Sequence, residues 1–283
     1  MPLPIYDTST TQAAPLGDEL HVATNRVYRY AKNSSAPLAA GTIVQASRPN
    51  SSHENLTCAA TAVKDTSITV TLGTDAVDTD EYKGGYIFTN DQAGEGYVYD
   101  ILSHPWAEPS ATLKLSIRDG VVVALTTSSQ ATLVKNVYDG VNRPYGDPWD
   151  IICGVAPVAV PANEYFWCQV RGPAAVLQAG NLFAGRGVML SQWKPGAVEA
   201  LKQVVSDTQA RAFERRTADA EQTGHIPSEH LQFQQKGVEM GSVLGEDYLT
   251  SVSGMASIPE RVIGYCITPR VSTEYALVYL TIS

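Results

Sequence analysis

Apolar and polar residues alternate most cleanly in the middle of the chain. In SITVTLGT, Ile68, Val70 and Leu72 fall on one side and Thr69 and Thr71 on the other, the period of a half-buried strand. TLKLSIRDGVVVAL alternates through Leu113, Leu115 and Ile117. Asp119-Gly120 then offers the positive φ of a tight turn, with Val121 to Leu125 running back. ATLVKNVY follows as another strand, and AAGTIVQAS earlier reads as a short strand entered through Gly41. GGYIFTNDQAGEGYVYDILSHPW reads as two strands, Tyr86–Thr89 and Tyr97–Leu102, joined by a turn that needs positive φ at Gly94 or Gly96. Further on, IICGVAPVAV and EYFWCQVRG flank a three-residue turn, Pro161-Ala162-Asn163. GNLFAGRGVMLS is a glycine-punctuated strand, and RVIGYCITP with EYALVYLTIS closes the chain as two strands around a short turn. The last hairpin overlays on IICGVAPVAV–EYFWCQVRG at a shift of 110 residues, Gly154 on Gly264, Glu164 on Glu274 and Tyr165 on Tyr275. Internal duplication and independent arrival at one hairpin geometry both account for so few identities.

Two regions lack this alternation. Residues 1–35, with Pro2, Pro4 and Pro15, read as an extended arm whose apolar Leu3, Ile5 and Tyr6 need something to cover them. Within 193–257, residues 196–224 hold the one helix-like stretch, with Val198, Leu201 and Val205 on one side and Gly224 to end it. VEALKQVV reads equally well as a strand, and residues 225–257 read as a long loop or lid. The expected fold is therefore all-β. A β-sandwich or barrel-like body in two parts, 36–140 and 141–283, carries an extended N-terminal arm and a mostly irregular or partly helical insertion, 193–257.

Composition narrows the function. Charged residues make up only 17% of the chain and the net charge is −9, with a pI of about 5.0. The one basic cluster, Arg211, Arg215 and Arg216, is interrupted by Glu214, Asp219 and Glu221, which argues against a nucleic-acid partner. No apolar run approaches the ~20 residues of a membrane-spanning helix. The first ten residues lack the charged and apolar regions of a signal peptide, so synthesis in a cytoplasm is expected. The glycosylation-type triplets at Asn33, Asn50 and Asn55 then read as polar loops. Cys58, Cys153, Cys168 and Cys266 sit among apolar residues with no CxxC spacing, and read as reduced core fillers. A Cys153–Cys168 bridge is the alternative that a cytoplasm disfavours.

No catalytic constellation assembles. Asp91–Gly96 resembles part of a phosphate loop, but a strand follows it where a helix N-terminus is needed. His225, Glu229 and His230 are one residue too widely spaced for an inverted zinc-protease motif, and Pro227 interrupts the helix it requires. His53-Glu54 has Thr57 where a second histidine would stand. Asp75, Asp78, Asp80 and Glu81 offer calcium-type ligands without the EF-hand order or its glycine, and read as an acidic surface loop. Trp106, Trp149, Trp167 and Trp193 suit sugar stacking or, more commonly in a β domain, core and interface roles. The chain is expected not to be an enzyme and to need no metal or cofactor; a hydrolase whose carboxylates pair only in space is the remaining catalytic reading.

The order of these elements, from AAGTIVQAS through EYKGGYIFTNDQAGEGYVYDILSHP, ATLKLSIRDGVVVALTTSSQATLVKNVYDGV and ICGVAPVAVPANEYFWCQVRGPAAV to GYCITPRVSTEYALVYLTIS, resembles the capsid decoration (cement) and head structural proteins of tailed bacteriophages, especially those of aquatic and cyanobacterial hosts. The resemblance covers roughly residues 36–190 and 258–283. It implies a non-enzymatic virion protein on the capsid surface, made in the host cytoplasm. Such a protein assembles as a homotrimer and clamps subunits of the major capsid protein, often through terminal arms. Pro2, Leu3, Pro4, Ile5 and Tyr6 are the capsid-contact candidates. The alternative is a virion fibre or adhesin module that binds host glycans.

Overall fold

Strands dominate the chain in a computed structural model, which describes residues 3–144, 151–201, 262–271 and 274–282. The fold is all-β, as the alternation implies, with two sheets that curl into nearly closed barrels.

The smaller sheet is six-stranded, in the order β4 (Leu56–Thr57), β9 (Gln130–Val134), β6 (Tyr86–Asp91), β7 (Val98–Ser103), β8 (Thr112–Ile117), β5 (Ser67–Thr71). Its ends meet: Cys58 follows β4 and bridges to Val70, and the Ala59 N–H donates to the Thr69 carbonyl at 2.8 Å. The apolar halves of the alternating strands point inward, where Ile68, Val70, Ile87, Ile101, Leu113, Leu115, Ile117 and Leu133 form one core. Closure removes the unpaired edges that an open six-stranded sheet would leave.

This barrel lies in sequence between β3 (Ile43–Gln45) and β10 (Asp139–Val141), which belong to the larger, ten-stranded sheet. Its main path runs β1 (Glu19–Val22), β2 (Arg26–Asn33), β12 (Tyr165–Leu177), β16 (Tyr275–Thr281), β15 (Gly264–Thr268), β13 (Gly187–Leu190), β14 (Val198–Ala200). β11 (Ile152–Val155) pairs with both β12 and β3, and β10 runs parallel to β2. The sheet curls back on itself, for the Ile43 N–H donates to the Gly196 carbonyl at 2.8 Å and the Ala179 N–H to that of Val198 at 2.8 Å. Ile43, Val155, Val176, Val188, Val198, Val278 and Leu280 fill one interior cluster; Ala31, Val44, Phe166 and Cys168 belong to a second.

One turn recurs through both barrels. Leu38 and Val160 exchange two hydrogen bonds, as do Val77 with Ala107 and Thr61 with Leu125. Three residues after the paired position stands a left-handed residue in five of these copies: Gly41, Asn163, Asp80, Ser110 and Lys64, with φ between 58° and 73°. Leu182-Phe183-Ala184-Gly185 repeats the turn before β13 with φ 75° at Gly185, and echoes Leu38-Ala39-Ala40-Gly41. The turn reverses the chain into the next strand while its own polar backbone stays paired.

Three expectations need correction. The arm is shorter than residues 1–35, because Arg26–Asn33 is strand β2, flanked by β1 and β12. It is buried on both sides, at Val27, Tyr28, Tyr30, Ala31 and Asn33, so it shows no period-2 alternation. Gly120 has no positive φ, and Val121–Leu125 does not return along β8. Instead Lys64 N–H donates to Val121 O at 2.7 Å, and a Cβ on Gly120 would sit 2.8 Å from the Lys64 Cα, so this glycine permits a close crossing of chains. The Pro161–Asn163 connection is wider than a three-residue turn, since Val160 pairs with Leu38 rather than with β12. Val198–Ala200 is a strand, the second of the two readings of VEALKQVV, with Val198 and Glu199 buried; the rest of the helix-like stretch and the 225–257 loop lie outside the described residues.

The two hairpins related by 110 residues share their register. Val155 faces Gln169, and Tyr265 faces Tyr279. A Cβ on Gly154 would meet the Gln169 carbonyl oxygen at 2.6 Å, and one on Gly264 would meet that of Tyr279 at 2.2 Å. Their environments differ: Trp167 is 3% exposed and its counterpart Leu277 is 40% exposed.

Candidate docking surface at the N-terminal arm

β2 and β12 pair so that Tyr30 faces Trp167, Tyr28 faces Gln169 and Lys32 faces Tyr165. Cross-strand partners share a face, so these residues form one aromatic surface. Tyr30 meets the Trp167 ring edge-on at 5.1 Å between centroids and stacks on Tyr165 at 5.9 Å. Lys32 Nζ lies 5.8 Å from the Tyr165 centroid, in cation–π range. Burial raises the pKa of all three tyrosines, Tyr28, Tyr30 and Tyr165, and keeps them neutral.

The arm crosses this surface. Trp167 Nε1 donates to the Leu3 carbonyl at 2.7 Å. Ser9 and Tyr165 exchange backbone hydrogen bonds at 3.0 and 2.8 Å, and the Ala13 N–H donates to the Tyr30 hydroxyl at 2.9 Å. Leu3, Ile5, Ala14 and Leu16 pack on Tyr28, Tyr30 and Trp167. The Gly17 N–H donates to the Tyr30 carbonyl at 2.8 Å, and Arg29 pairs with Glu19 while donating to the Gly17 carbonyl, which fixes where the arm joins the body. Among the capsid-contact candidates, Leu3 and Ile5 therefore face the protein's own aromatic surface, which supplies their cover. Pro4 and Tyr6 are exposed, Tyr6 by 57% and held by a bond of 3.1 Å from Arg26 Nη1 to its hydroxyl. Pro2 lies outside the described residues.

The remaining polar constellations serve structure. His53 Nε2 lies 3.2 Å from the Asp75 carbonyl, so Nε2 carries the proton and Nδ1 accepts from the Tyr82 hydroxyl at 2.5 Å. His104 Nδ1 donates to the Pro105 carbonyl at 2.9 Å, which leaves Nε2 to accept the Tyr82 N–H at 2.8 Å. Both histidines are buried, and they anchor Tyr82 within the barrel core. His104 is thus a backbone acceptor. Burial opposes ionisation of Glu81, but the bond and charge of Lys135 and the Asp78 N–H hold its pKa below the ordinary carboxylate value. Asp75 takes a bond from Asn50, Asp80 pairs with Lys83 and accepts from the His104 N–H, and Glu81 faces Lys135. The side chains of Asp75, Asp80 and Glu81 thus have separate partners, and no group of metal-ligating side chains occurs among the described residues.

Asp91–Gly96 is a hairpin loop, with positive φ at Gln92, Gly94 and Gly96 and strand β7 following. All four cysteines are buried, and burial pushes the Cys58 thiol up to about 11. Trp167 belongs to the arm's seat, whereas Trp106 and Trp193 are 53% and 84% exposed. Trp149, His225, Glu229 and His230 lie outside the described residues. No helix among the described residues is long and apolar enough to cross a membrane.

The aromatic seat is what sequence reasoning missed. Its signal was RVYRY, where Tyr28 and Tyr30 stand two apart as strand neighbours on one face. Fold and surface together define an all-β protein with a docked N-terminal arm. No protein-family model, no curated protein and no solved structure matches the chain.

Proposed function

We propose that the chain is a virion structural protein that binds the outer surface of a tailed-phage capsid and stabilises contacts between major capsid subunits. The observation that carries the reading is the arm, pinned to the body by Leu3, Ser9 and Ala13 while Pro4 and Tyr6 face outward. A pinned arm loses little conformational entropy on binding, so small outward contacts contribute most of their energy to affinity. The order of strands that resembles decoration proteins supports the same role. In this role a homotrimer would engage several capsid sites at once, and avidity would add weak contacts together. Deletion of residues 1–12, and separately Tyr6→Ala, tests it by occupancy on purified capsids. Occupancy should fall at least tenfold for the deletion and less for Tyr6→Ala; unchanged occupancy in both would remove the arm from the account.

Exposed Trp106 and Trp193 favour a second reading, a fibre or adhesin module that binds host glycans by ring stacking. Glycan-array binding that is lost in Trp193→Ala would establish it in place of the first.

A further inference from the structure

The outer face of β12, β16 and β15 is apolar across three strands. Cross-strand pairing sets Pro173 opposite Tyr279 and Tyr279 opposite Tyr265 in one row. Ala175 faces Leu277, beside the bulged Ile267, and Leu177 faces Tyr275. Their neighbours Cys266, Ala276 and Val278 point the other way, into the core. Tyr265, Ile267, Tyr275 and Leu277 are 51%, 43%, 46% and 40% exposed. None of these positions carries a charge. Charge begins where the face ends, at Arg171 on one side and at the Arg270–Glu274 ion pair on the other. An apolar centre with a polar rim is the anatomy of a protein–protein interface.

We infer that this face is where a second copy of the chain packs. A partner for it must match three strands' width without placing a charge opposite the tyrosines, because a buried unpaired charge costs several kcal/mol. The face itself meets that requirement, and a twofold pairing would set it against its own equivalent. The other broad apolar exposure, Tyr86, Val98 and Leu102 on β6 and β7, is interrupted by the Asp100–Arg118 ion pair and does not match it. The exposed apolar area is on the order of 500 Å², within reach of the roughly 800 Å² a side of a standard interface once the rim is added. Pairing through a face without carboxylates also keeps the acidic groups of two chains, each of net charge −9, out of the contact.

This inference concerns a twofold contact, distinct from the threefold contacts of the proposed homotrimer, and does not need a capsid. Sedimentation of the full chain tests it, alongside Leu277→Arg, Tyr265→Asp and, as a control on the other barrel, Val98→Asp. The full chain should associate at about 10 μM, and Leu277→Arg and Tyr265→Asp should each weaken association at least tenfold, with Val98→Asp unchanged. Melting temperatures show whether each variant folds, and Tyr265→Asp stands in if Leu277→Arg does not. A full chain that stays monomeric to ~100 μM overturns the inference. So does association equally tight in both variants. Loss of association with intact capsid occupancy in the variants would separate this inference from the capsid role.

Discussion

Tyr82 carries two jobs at once: its hydroxyl satisfies the buried His53 Nδ1, and its N–H satisfies His104. Tyr82→Phe removes only the first and leaves a buried acceptor without a donor, so stability should drop by about 1–2 kcal/mol in urea unfolding at pH 7. Burial raises the folded-state pKa of Tyr82, and that of Tyr138 to about 12, above the value near 10 of an unfolded tyrosine. The sign follows from linkage: the contribution is complete below pH ~10 and is lost as pH rises toward the folded values, because the unfolded chain releases the protons first. Unfolding free energy should therefore fall as pH rises from about 10 toward 12, and less steeply in Tyr82→Phe. The histidines themselves were legible as residues but not as partners, since His53, Tyr82 and His104 come together only when the barrel closes.

At the scale of elements, the arm and the two related hairpins make separate predictions. Trp167→Phe keeps the ring's packing but removes the 2.7 Å bond to the Leu3 carbonyl. Amide exchange at residues 3–13 should quicken by at least tenfold while the melting temperature changes little; uniform quickening across the barrel cores would mean that the tryptophan supports the fold and not the arm. Gly154→Ala and Gly264→Ala each drive a methyl group into a carbonyl oxygen, of Gln169 and Tyr279 respectively. Each should cost about 1–3 kcal/mol, and Gly154→Ala adds backbone strain at φ 143° that Gly264→Ala does not. Strands with one wet face were legible, because β5 and β8 alternate as Ile68-Val70 and Leu113-Leu115-Ile117. β2 was not, because both of its faces are covered and Arg26, Arg29 and Lys32 break its apolar run. Gly120 misled for a related reason: the residue type fits a turn or a close crossing, and only the neighbouring chain at Lys64 decides between them.

For the whole molecule, the all-β class followed from local pattern, while the two-barrel arrangement did not. It depends on long-range pairings such as Cys58 with Val70 and Gln178 with Val198, which leave no periodic trace. The recurring turn was equally hidden, since glycine marks it at Gly41 and Gly185 but aspartate, serine, asparagine and lysine fill the same left-handed position elsewhere. The candidate surface was half legible: the arm's residues were named, but the seat that holds Leu3 and Ile5 and leaves Pro4 and Tyr6 outward belongs to strands far along the chain. In the proposed role this molecule is a stoichiometric component of a phage shell. Its most direct test is quantitative mass spectrometry of purified virions of the phage proposed to encode it. The protein should be present at a fixed ratio to the major capsid protein and be lost from particles carrying the 1–12 deletion. Its absence from virions, or only a few copies per particle, would contradict the account.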